Sequence, residues 1–240
     1  MSTVATTQPH QVVAHRTIVT IAAITSTLMQ SLDGTIANVA LPHMQASLNA
    51  TPDQIAWVLT SYIVASAIMI PLTGFLALRF GRKRVFVLSI IGFTLSSALC
   101  GLATSIGDMV AYRIIQGLCG AALVPLSQSM MLDLYADHER GRAIAMWGVG
   151  VMIGPVLGPT LGGYLTEFYD WRWVFYINLP FGIIAAVIMA RFATETPLNH
   201  TRKFAAWGFF VLAVGVGGLQ LLLDRGESED WFTSTEIVIW

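Results

Sequence analysis

Long apolar stretches separated by short charged segments set the pattern of this chain. Five stretches contain no Asp, Glu, Lys or Arg, and two more are interrupted by a single charge. At about 1.5 Å per residue, each is about long enough to cross a hydrocarbon core of about 30 Å as an α-helix. The pattern therefore predicts an all-α integral membrane protein with seven spans. They are residues 17–44 (interrupted by Asp33), 54–78, 85–107, 109–132 (interrupted by Arg113), 143–166, 173–190 and 204–223.

Composition supports the same fold class. Hydrophobic residues make up 55% of the chain and charged residues 11%, whereas soluble domains carry about 25% charged residues. The long continuous apolar runs also differ from the alternating segments of about ten residues that build membrane β-barrels. Spanning helices are the arrangement that fits, because every peptide group in hydrocarbon needs a hydrogen-bond partner within the protein.

Positive charges are distributed unequally between the two sets of loops. Taken alternately, the loops on the side of the N-terminus hold ten Lys and Arg residues, and those on the other side hold two. By the positive-inside rule, the N-terminus is cytoplasmic and the acidic loop at 224–230 is external. The first span is longer than the apolar core of a signal peptide, about 7–15 residues, so we expect it to be retained.

The polar segments divide the chain into four parts. A Gly–aromatic–Leu triplet at 74–76 and another at 163–165 each end the second span of a three-span group, which favours two inverted three-helix repeats, as in many secondary transporters. The predicted parts are a cytoplasmic N-terminal tail at 1–16, a six-helix bundle at 17–192, a polar cytoplasmic linker at 193–203, and a seventh helix, external loop and truncated eighth helix at 204–240.

Asp33 is the most informative residue, since it is the only formal charge between Arg16 and Asp53. It lies about 25 Å along an apolar helix, hence inside the hydrocarbon core. An acid there is costly and is by default a functional hypothesis; the alternative is a misplaced helix end at which Asp33 meets headgroup water. Ser26, Gln30 and Asp33 share one helix face, which faces either a substrate cavity or a neighbouring helix.

Arg113 lies about four residues, or about 6 Å, inside the external end of the fourth span. Its long side chain either snorkels to the surface or pairs with Asp33, which reaches a similar depth from the cytoplasmic side. Burial favours the neutral form of an acid, whereas a nearby guanidinium favours the carboxylate. We therefore expect Asp33 to exchange a proton for substrate and Arg113 to modulate its pKa.

Two further segments have the composition of structural motifs. A predicted cytoplasmic turn after the second span combines glycines, which permit a tight reversal, with cations that fix it on the cytoplasmic side. The turn either has a functional role or only anchors the topology. Its key residues are Gly74, Arg79, Gly81, Arg82 and Lys83. The fifth span repeats glycine every four residues, which lets another helix pack closely, and its prolines bend the axis. The residues of this run are Gly150, Gly154, Pro155, Gly158, Pro159, Gly162 and Gly163.

The sequence contains no metal-ligand cluster, phosphate-binding loop or nucleophile-elbow motif, and Asp33 has no second acid, His pair or nucleophile within helical reach. The loops are too short to form a soluble catalytic domain. Cys100 and Cys119 fall inside predicted spans, so we expect two core thiols and no disulfide. These features indicate a transporter, with no enzymatic activity, cofactor or nucleic-acid partner.

Taken together, these segments resemble the major facilitator superfamily and its fourteen-helix drug:proton antiporter branch. The turn resembles the signature loop, the fifth span resembles the antiporter motif, and Arg113, Gln116 and Gly117 resemble the motif of helix four. Leu78 departs from the pattern, because the signature loop usually has Asp there, so the gating interaction attributed to that acid is not carried over. Further matches are residues 32–42, 171–173 with 177–180, and 219–232, the last most similar to EmrB-like permease subunits.

This resemblance implies the N-terminal portion of a proton-driven exporter of lipophilic, often cationic drugs, working by alternating access in a bacterial cytoplasmic membrane. It also implies a periplasmic adaptor and an outer-membrane channel as partners. Two alternatives stay open. One is a major facilitator exporter or symporter of a cellular metabolite, and the other is a truncated membrane scaffold or sensor that does not transport.

Overall fold

The computed structural model describes residues 15–195 and 204–226, and within them the regular structure is helical, with no strand. Most of the predicted N-terminal tail and linker, the part of the predicted external loop after residue 226 and the predicted eighth helix lie outside the described residues. A short 3₁₀ turn, Asp137–Glu139, precedes α6. The α-helices are α1 (Arg16–Ser47), α2 (Pro52–Phe80), α3 (Arg82–Gly101), α4 (Ile106–Gly120), α5 (Leu123–Leu134), α6 (Arg140–Phe168), α7 (Trp173–Tyr176), α8 (Asn178–Phe192) and α9 (Ala206–Arg225).

Six helical segments in the described part of the chain are long and apolar enough to cross a membrane. They are α2, α3, α4 with α5, the 3₁₀ turn with α6, α7 with α8, and α9. At 32 residues, α1 is also long enough, but buried polar residues such as Ser26, Thr27 and Asp33 lower its hydropathy. Because α1 is enclosed by α2, α5, α6 and α8, these polar groups face protein, and the first predicted span is a bundle-centre helix.

Two of the predicted spans are interrupted, each one turn before a proline. The fourth is divided between α4 and α5 at residues 121–122, and Pro125 follows four residues after Ala121. The sixth is divided between α7 and α8 at Ile177, and Pro180 follows four residues after Tyr176. A proline removes an N–H and its ring clashes with the carbonyl four residues earlier, which accounts for both breaks.

Polar capping starts the two helices at the predicted external end. Thr51 and Gln54 form a reciprocal capping box at the start of α2, with Pro52 at its first position. Ser105 and Asp108 form the same motif at the start of α4. Each box satisfies backbone N–H groups that a helix start leaves without partners, so both helices begin where the apolar runs begin.

Two large apolar clusters divide the core of the bundle along α1, beside a small third cluster around Ala23 and Met131. One contains Val19 and Met29 together with residues of α3, α5 and α8. The other contains Ile36 and Met44 together with residues of α2, α3 and α7. Asp33 lies between Met29 and Ile36, so the acid occupies the boundary of the two clusters and is far from either end of α1.

The seventh long helix, α9, lies at the periphery and packs on α2. Among its described residues only Gly217 is buried, and a Cβ there would come within 3.1 Å of the Ile68 side chain. Near one end of the contact the Thr60 hydroxyl donates to Asp224, and the Arg225 guanidinium lies 5.3 Å from the ring centroid of Trp57. The described fold is therefore a bundle of six helical segments, with α9 packed on its outside.

Candidate functional site

Buried polar side chains from four helices meet at the boundary between the two apolar clusters. We call this group the central polar cluster. Each of its side chains is at most 1% exposed. Enclosing polar groups in this way costs free energy unless they form hydrogen bonds with one another, so the bonds within this cluster make it the candidate functional site. Its members are Asp33 of α1, Ser97 of α3, Arg113 and Gln116 of α4, and Asn178 of α8.

The Asp33 carboxylate accepts hydrogen bonds from three side chains. Arg113 Nη1 donates to Oδ2 at 2.7 Å, Gln116 Nε2 to Oδ1 at 2.8 Å, and Asn178 Nδ2 to Oδ1 at 3.0 Å. All three partners are donors, which suits an ionised carboxylate. The structure thus brings together the two charges that sequence depth placed at the same level, and it encloses both.

Arg113 is fully buried and does not snorkel; it bonds through Nε and Nη1, whereas its Nη2 has no hydrogen-bond partner among the described residues. Its Nε donates to the backbone oxygen of Val58 at 3.0 Å, and Nη1 also donates to Gln116 Oε1 at 2.8 Å. Its Cζ lies 4.2 Å from the ring centroid of Tyr62 and 5.7 Å from that of Phe175. Cation–π contact adds to the ion pair in a desolvated setting, so the guanidinium has a fixed orientation toward Asp33.

A close helix contact accounts for the position of Arg113. A Cβ on Gly117 would collide with the backbone oxygen of Tyr62, so α4 and α2 approach closely at this point. Gly120, three residues further, faces the Phe93 ring of α3, and a Cβ there would come within 2.9 Å of it. The glycines of α4 thereby bring Arg113, one turn before Gly117, within reach of the α2 backbone.

Asn178 and Ser97 belong to the cluster although the sequence analysis assigned them no role. Asn178 is one of few polar residues in an apolar run, which was a usable signal because amide side chains in a span usually have a specific partner. Ser97 gave no such signal, since serines in helices often bond to their own backbone. The contacts of Tyr62 and of the Val58 carbonyl with Arg113 could not be predicted from the sequence either, because they depend on how α2 is rotated about its axis.

The structure separates the two predicted cavity residues of α1. Ser26 is fully buried and its hydroxyl donates to the backbone oxygen of Ala22 at 2.8 Å, so its hydrogen bond lies within its own helix. Gln30 is half-buried, and its Oε1 has no hydrogen-bond partner among the described residues. Of the two side chains, Gln30 is therefore the one with an unused hydrogen-bond acceptor, its Oε1 atom.

The glycine run of α6 packs against α1, the helix that carries Asp33. A Cβ on Gly154 would lie 2.8 Å from the backbone nitrogen of Leu32, and a Cβ on Gly158 would collide with the Thr35 side chain. Ser31 Oγ donates to the Val151 backbone oxygen at 3.0 Å across the same contact. Gly150 and Gly162 also face α1, whereas an added Cβ on Gly163 would meet nothing within 4 Å and Pro155 and Pro159 are exposed.

The turn between α2 and α3, predicted to be cytoplasmic, is held by two acids from other elements. Gly81 has φ +96°, a conformation that favours glycine. Arg82 pairs with Asp133 at the end of α5. Glu195 accepts from the Lys83 backbone N–H at 3.1 Å, near the start of α3, and lies 3.7 Å from Arg84 Nε.

Other predicted turn residues lie apart from these contacts. Arg79 is exposed, and a Cβ on Gly74 would meet nothing within 4 Å. Leu78, at the position where the signature loop usually has Asp, lines an apolar groove between α2 and α9 with Phe75 and Phe209. The acids that contact this turn therefore come from α5 and from the segment after α8.

The two cysteines are free thiols, Cys100 buried and Cys119 half-buried. Cys100 Sγ lies 3.5 Å from Gln116 Oε1, at the edge of the central polar cluster. Among the described residues no group of His, Cys, Asp and Glu has the arrangement of a metal site.

Comparison with known families places this geometry in context. The family model described as Major Facilitator Superfamily matches residues 23–230. Multidrug export protein EmrB of Escherichia coli (strain K12) is 43% identical over 229 residues, which cover 94% of this chain and 44% of that protein. Fatty acid resistance protein FarB of Neisseria gonorrhoeae is 43% identical over 211 residues, which cover 88% of this chain and 42% of that protein. The chain thus spans less than half the length of these relatives.

Solved structures show the same helical arrangement at low sequence identity. A crystal structure of a D-xylose-proton symporter matches with a TM-score of 0.65 and 16% identity, over 87% of this chain and 53% of the other. A crystal structure of the peptide transporter POT in complex with sulfate matches with a TM-score of 0.68 and 14% identity, over 92% of this chain and 48% of the other. These likenesses show the fold alone.

Proposed function

This chain belongs to the Major Facilitator Superfamily, and on that premise we propose that its bundle is the N-terminal half of a proton-driven exporter of lipophilic, often cationic compounds. The exporter works by alternating access in a bacterial cytoplasmic membrane. Relatives named as multidrug exporters, at 43% identity over nearly the whole chain, support the substrate class. They also support the expectation of a second bundle, since each is more than twice as long.

The observation that carries the proposal is the fully buried Asp33–Arg113 pair. A buried ion pair gives little net stability, because desolvation offsets most of the attraction. Its value is chemical, since Asp33 is a group that gains or loses a proton and Arg113 is a partner that stays charged. Protonation removes the charge to which Arg113 binds, so the contact between α1 and α4 differs between the two states. Coupling requires such a differential contact.

Substrate contact is proposed for the half-buried side of α1. Gln30 Oε1 is a buried acceptor that has no partner among the described residues, so it is suited to a donor group on a bound molecule. Ser26 contributes less, since its hydroxyl is already bonded to Ala22. The proton and a cationic substrate would then compete for the same carboxylate, which is the simplest form of antiport.

A second candidate is export of amphiphilic acids, favoured by the 43% identity to a fatty acid resistance protein. An anion would engage Arg113 when Asp33 is protonated, whereas a cation would engage Asp33. Parallel tests of ethidium efflux and of resistance to long-chain fatty acids in cells expressing the complete transporter would separate the two substrate classes.

Topology, domain division and partners are further parts of the proposal. The excess of Lys and Arg on the side of the N-terminus supports a cytoplasmic N-terminus, with the linker at 193–203 on that side and the bundle at 17–192 as one unit. A periplasmic adaptor and an outer-membrane channel would complete the export route. Cysteine labelling from each side of the membrane at Asp53 and at Arg84, in a background without Cys100 and Cys119, tests the orientation.

The decisive experiment substitutes Asp33→Asn in the complete transporter and follows ethidium efflux with and without a collapsed proton gradient. We expect gradient-dependent efflux to be lost while membrane insertion is retained. The matched control is Asp53→Asn, an acid exposed at the start of α2, which should transport normally. Unchanged coupling in Asp33→Asn would remove Asp33 from the mechanism.

A double variant guards against a trivial loss of fold. Asp33→Asn leaves the Arg113 guanidinium without its counter-charge, so Asp33→Asn with Arg113→Gln provides a version of the cluster without formal charges. If the double variant inserts and binds ethidium but does not couple efflux to the gradient, the loss lies in proton exchange. If it couples normally, the proposed role of the pair is wrong.

A further inference from the structure

Asn178 and Ser97 form a chain of hydrogen bonds that ends on Asp33. Asn178 Nδ2 lies 3.0 Å from Asp33 Oδ1 and 3.1 Å from Ser97 Oγ. Ser97 Oγ donates to the backbone oxygen of Phe175 at 2.9 Å. Because a hydroxyl has one hydrogen and Phe175 receives it, Ser97 can only accept from Asn178. Ser97 therefore determines that the NH₂ end of the Asn178 amide faces Asp33.

A proton on Asp33 conflicts with this arrangement. A carboxylic acid O–H needs an acceptor, but each side chain bonded to Asp33 is a donor. Arg113 has no acceptor atom. Gln116 cannot reverse its amide, because Oε1 faces Arg113 Nη1 at 2.8 Å and reversal would set amide hydrogens against guanidinium hydrogens. Asn178 differs from both, since its second neighbour is a hydroxyl that is able to donate as well as accept.

Resting on the proposed proton exchange at Asp33, we propose that Asn178 is a two-position side chain whose amide turns when Asp33 is protonated, with Ser97 as its positioning residue. In the ionised state Nδ2 donates to Asp33 Oδ1 and to Ser97 Oγ. After half a turn about Cβ–Cγ, Asn178 Oδ1 accepts from the Asp33 O–H and from Ser97 O–H, which has left Phe175. The only hydrogen gained by the cluster is the proton on Asp33.

Other charged or titratable groups also face Asp33 across the packed helices. They are Arg113 on α4, Tyr62 on α2 and Cys100 on α3. Arg113 stays charged at every accessible pH, and a phenol and a thiol titrate above neutral pH even in water. Of these four groups, Asp33 is therefore the one to which the proposed proton exchange is assigned.

The first test measures ethidium efflux against pH in membrane vesicles containing the complete transporter. Asn178→Leu conserves the shape of the side chain and removes both positions of the amide. We expect the pH of half-maximal efflux to rise by about one unit, because the ionised carboxylate loses a charge-assisted bond that is stronger than the bond lost by the neutral acid. An unchanged midpoint would overturn the proposal.

Ser97→Ala is the milder variant, and it tests the two-position switch of Asn178 even if Asn178→Leu does not fold. The ionised arrangement contains two Ser97 hydrogen bonds and the protonated arrangement one, so the midpoint should rise by about half a unit. The control is Ser96→Ala, a neighbouring buried serine whose hydroxyl bonds to Gly92 and Phe93 of its own helix. It should leave the midpoint in place.

Infrared difference spectroscopy tests the turn itself. The C=O band of the protonated Asp33 carboxyl, identified by its loss in Asp33→Asn, should shift in Asn178→Leu and shift less in Ser97→Ala. A band that does not move means that Asn178 never accepts from the acid, and the two-position switch is wrong. If instead Asp33→Asn retains both the band and the coupling, the proposed function itself fails, so the two failures are distinguishable.

Discussion

The central polar cluster and the turn between α2 and α3 both join acids to cations across helices, yet they do so in opposite surroundings. In the cluster, Asp33 and Arg113 are fully enclosed and the carboxylate bonds to three donors. At the turn, Arg82 and Asp133 pair while their side chains stay 31% and 49% exposed. Buried pairs cost much when one partner is removed, whereas exposed pairs contribute about 0–1 kcal/mol. Similar charge pairs therefore differ in what their disruption costs, which is large for the enclosed pair and small for the exposed one.

Removing the Arg113 cation from the cluster is expected to have the largest effect on stability. Arg113→Leu leaves a buried carboxylate without its counter-charge, which should destabilise the fold by about 3–5 kcal/mol. Thermal unfolding in detergent should show a large fall in Tm. Adding Asp33→Asn to that variant should recover most of the loss, because no formal charge is then left unpaired. Equal Tm values for wild type and Arg113→Leu would contradict the burial of the pair.

Crowding α1 without touching any charge is expected to have an intermediate effect. Gly158→Leu forces a side chain against Thr35 on the same helix as Asp33, and overpacking of this kind costs about 1–3 kcal/mol. Efflux should fall because α1 is displaced relative to Arg113. Gly163→Leu is the matched control, since an added Cβ there meets open space. Normal transport in Gly158→Leu would show that the α1–α6 contact does not position the cluster.

The smallest effect is expected at the turn between α2 and α3. Asp133→Asn removes the charge that faces Arg82 and should lower stability by about 0–1 kcal/mol. That difference should shrink further in about 1 M salt, where exposed charges are screened within about 3 Å. The effect of Arg113→Leu should persist in the same salt. A salt-independent loss in Asp133→Asn would mean that the two regions are less different than their exposure indicates.

Depth along a helix is readable from sequence, whereas rotation about its axis is not. Counting residues placed Asp33 and Arg113 at the same level, and the predicted first span at 17–44 agrees with Arg16–Ser47. The glycine spacing of α6 predicted a close contact with another helix, but it did not indicate that this helix is α1. Asn178 and Ser97 complete the cluster, and the Tyr62 ring packs on Arg113, only because three further helices turn those positions inward. That information lies in the packing of the whole bundle and not in any one segment.

The polarity of α1 also bears on how the bundle is made. Of the described helices, α1 leaves the ribosome first, and it is the long helix that falls outside the group apolar enough to cross a bilayer by composition. The helices that contact its polar residues, α4, α5, α6 and α8, begin at Ile106 or later, when α1 has already been synthesised. The buried polar groups of α1 thus make this first helix dependent, during biogenesis, on neighbours that have not yet been synthesised.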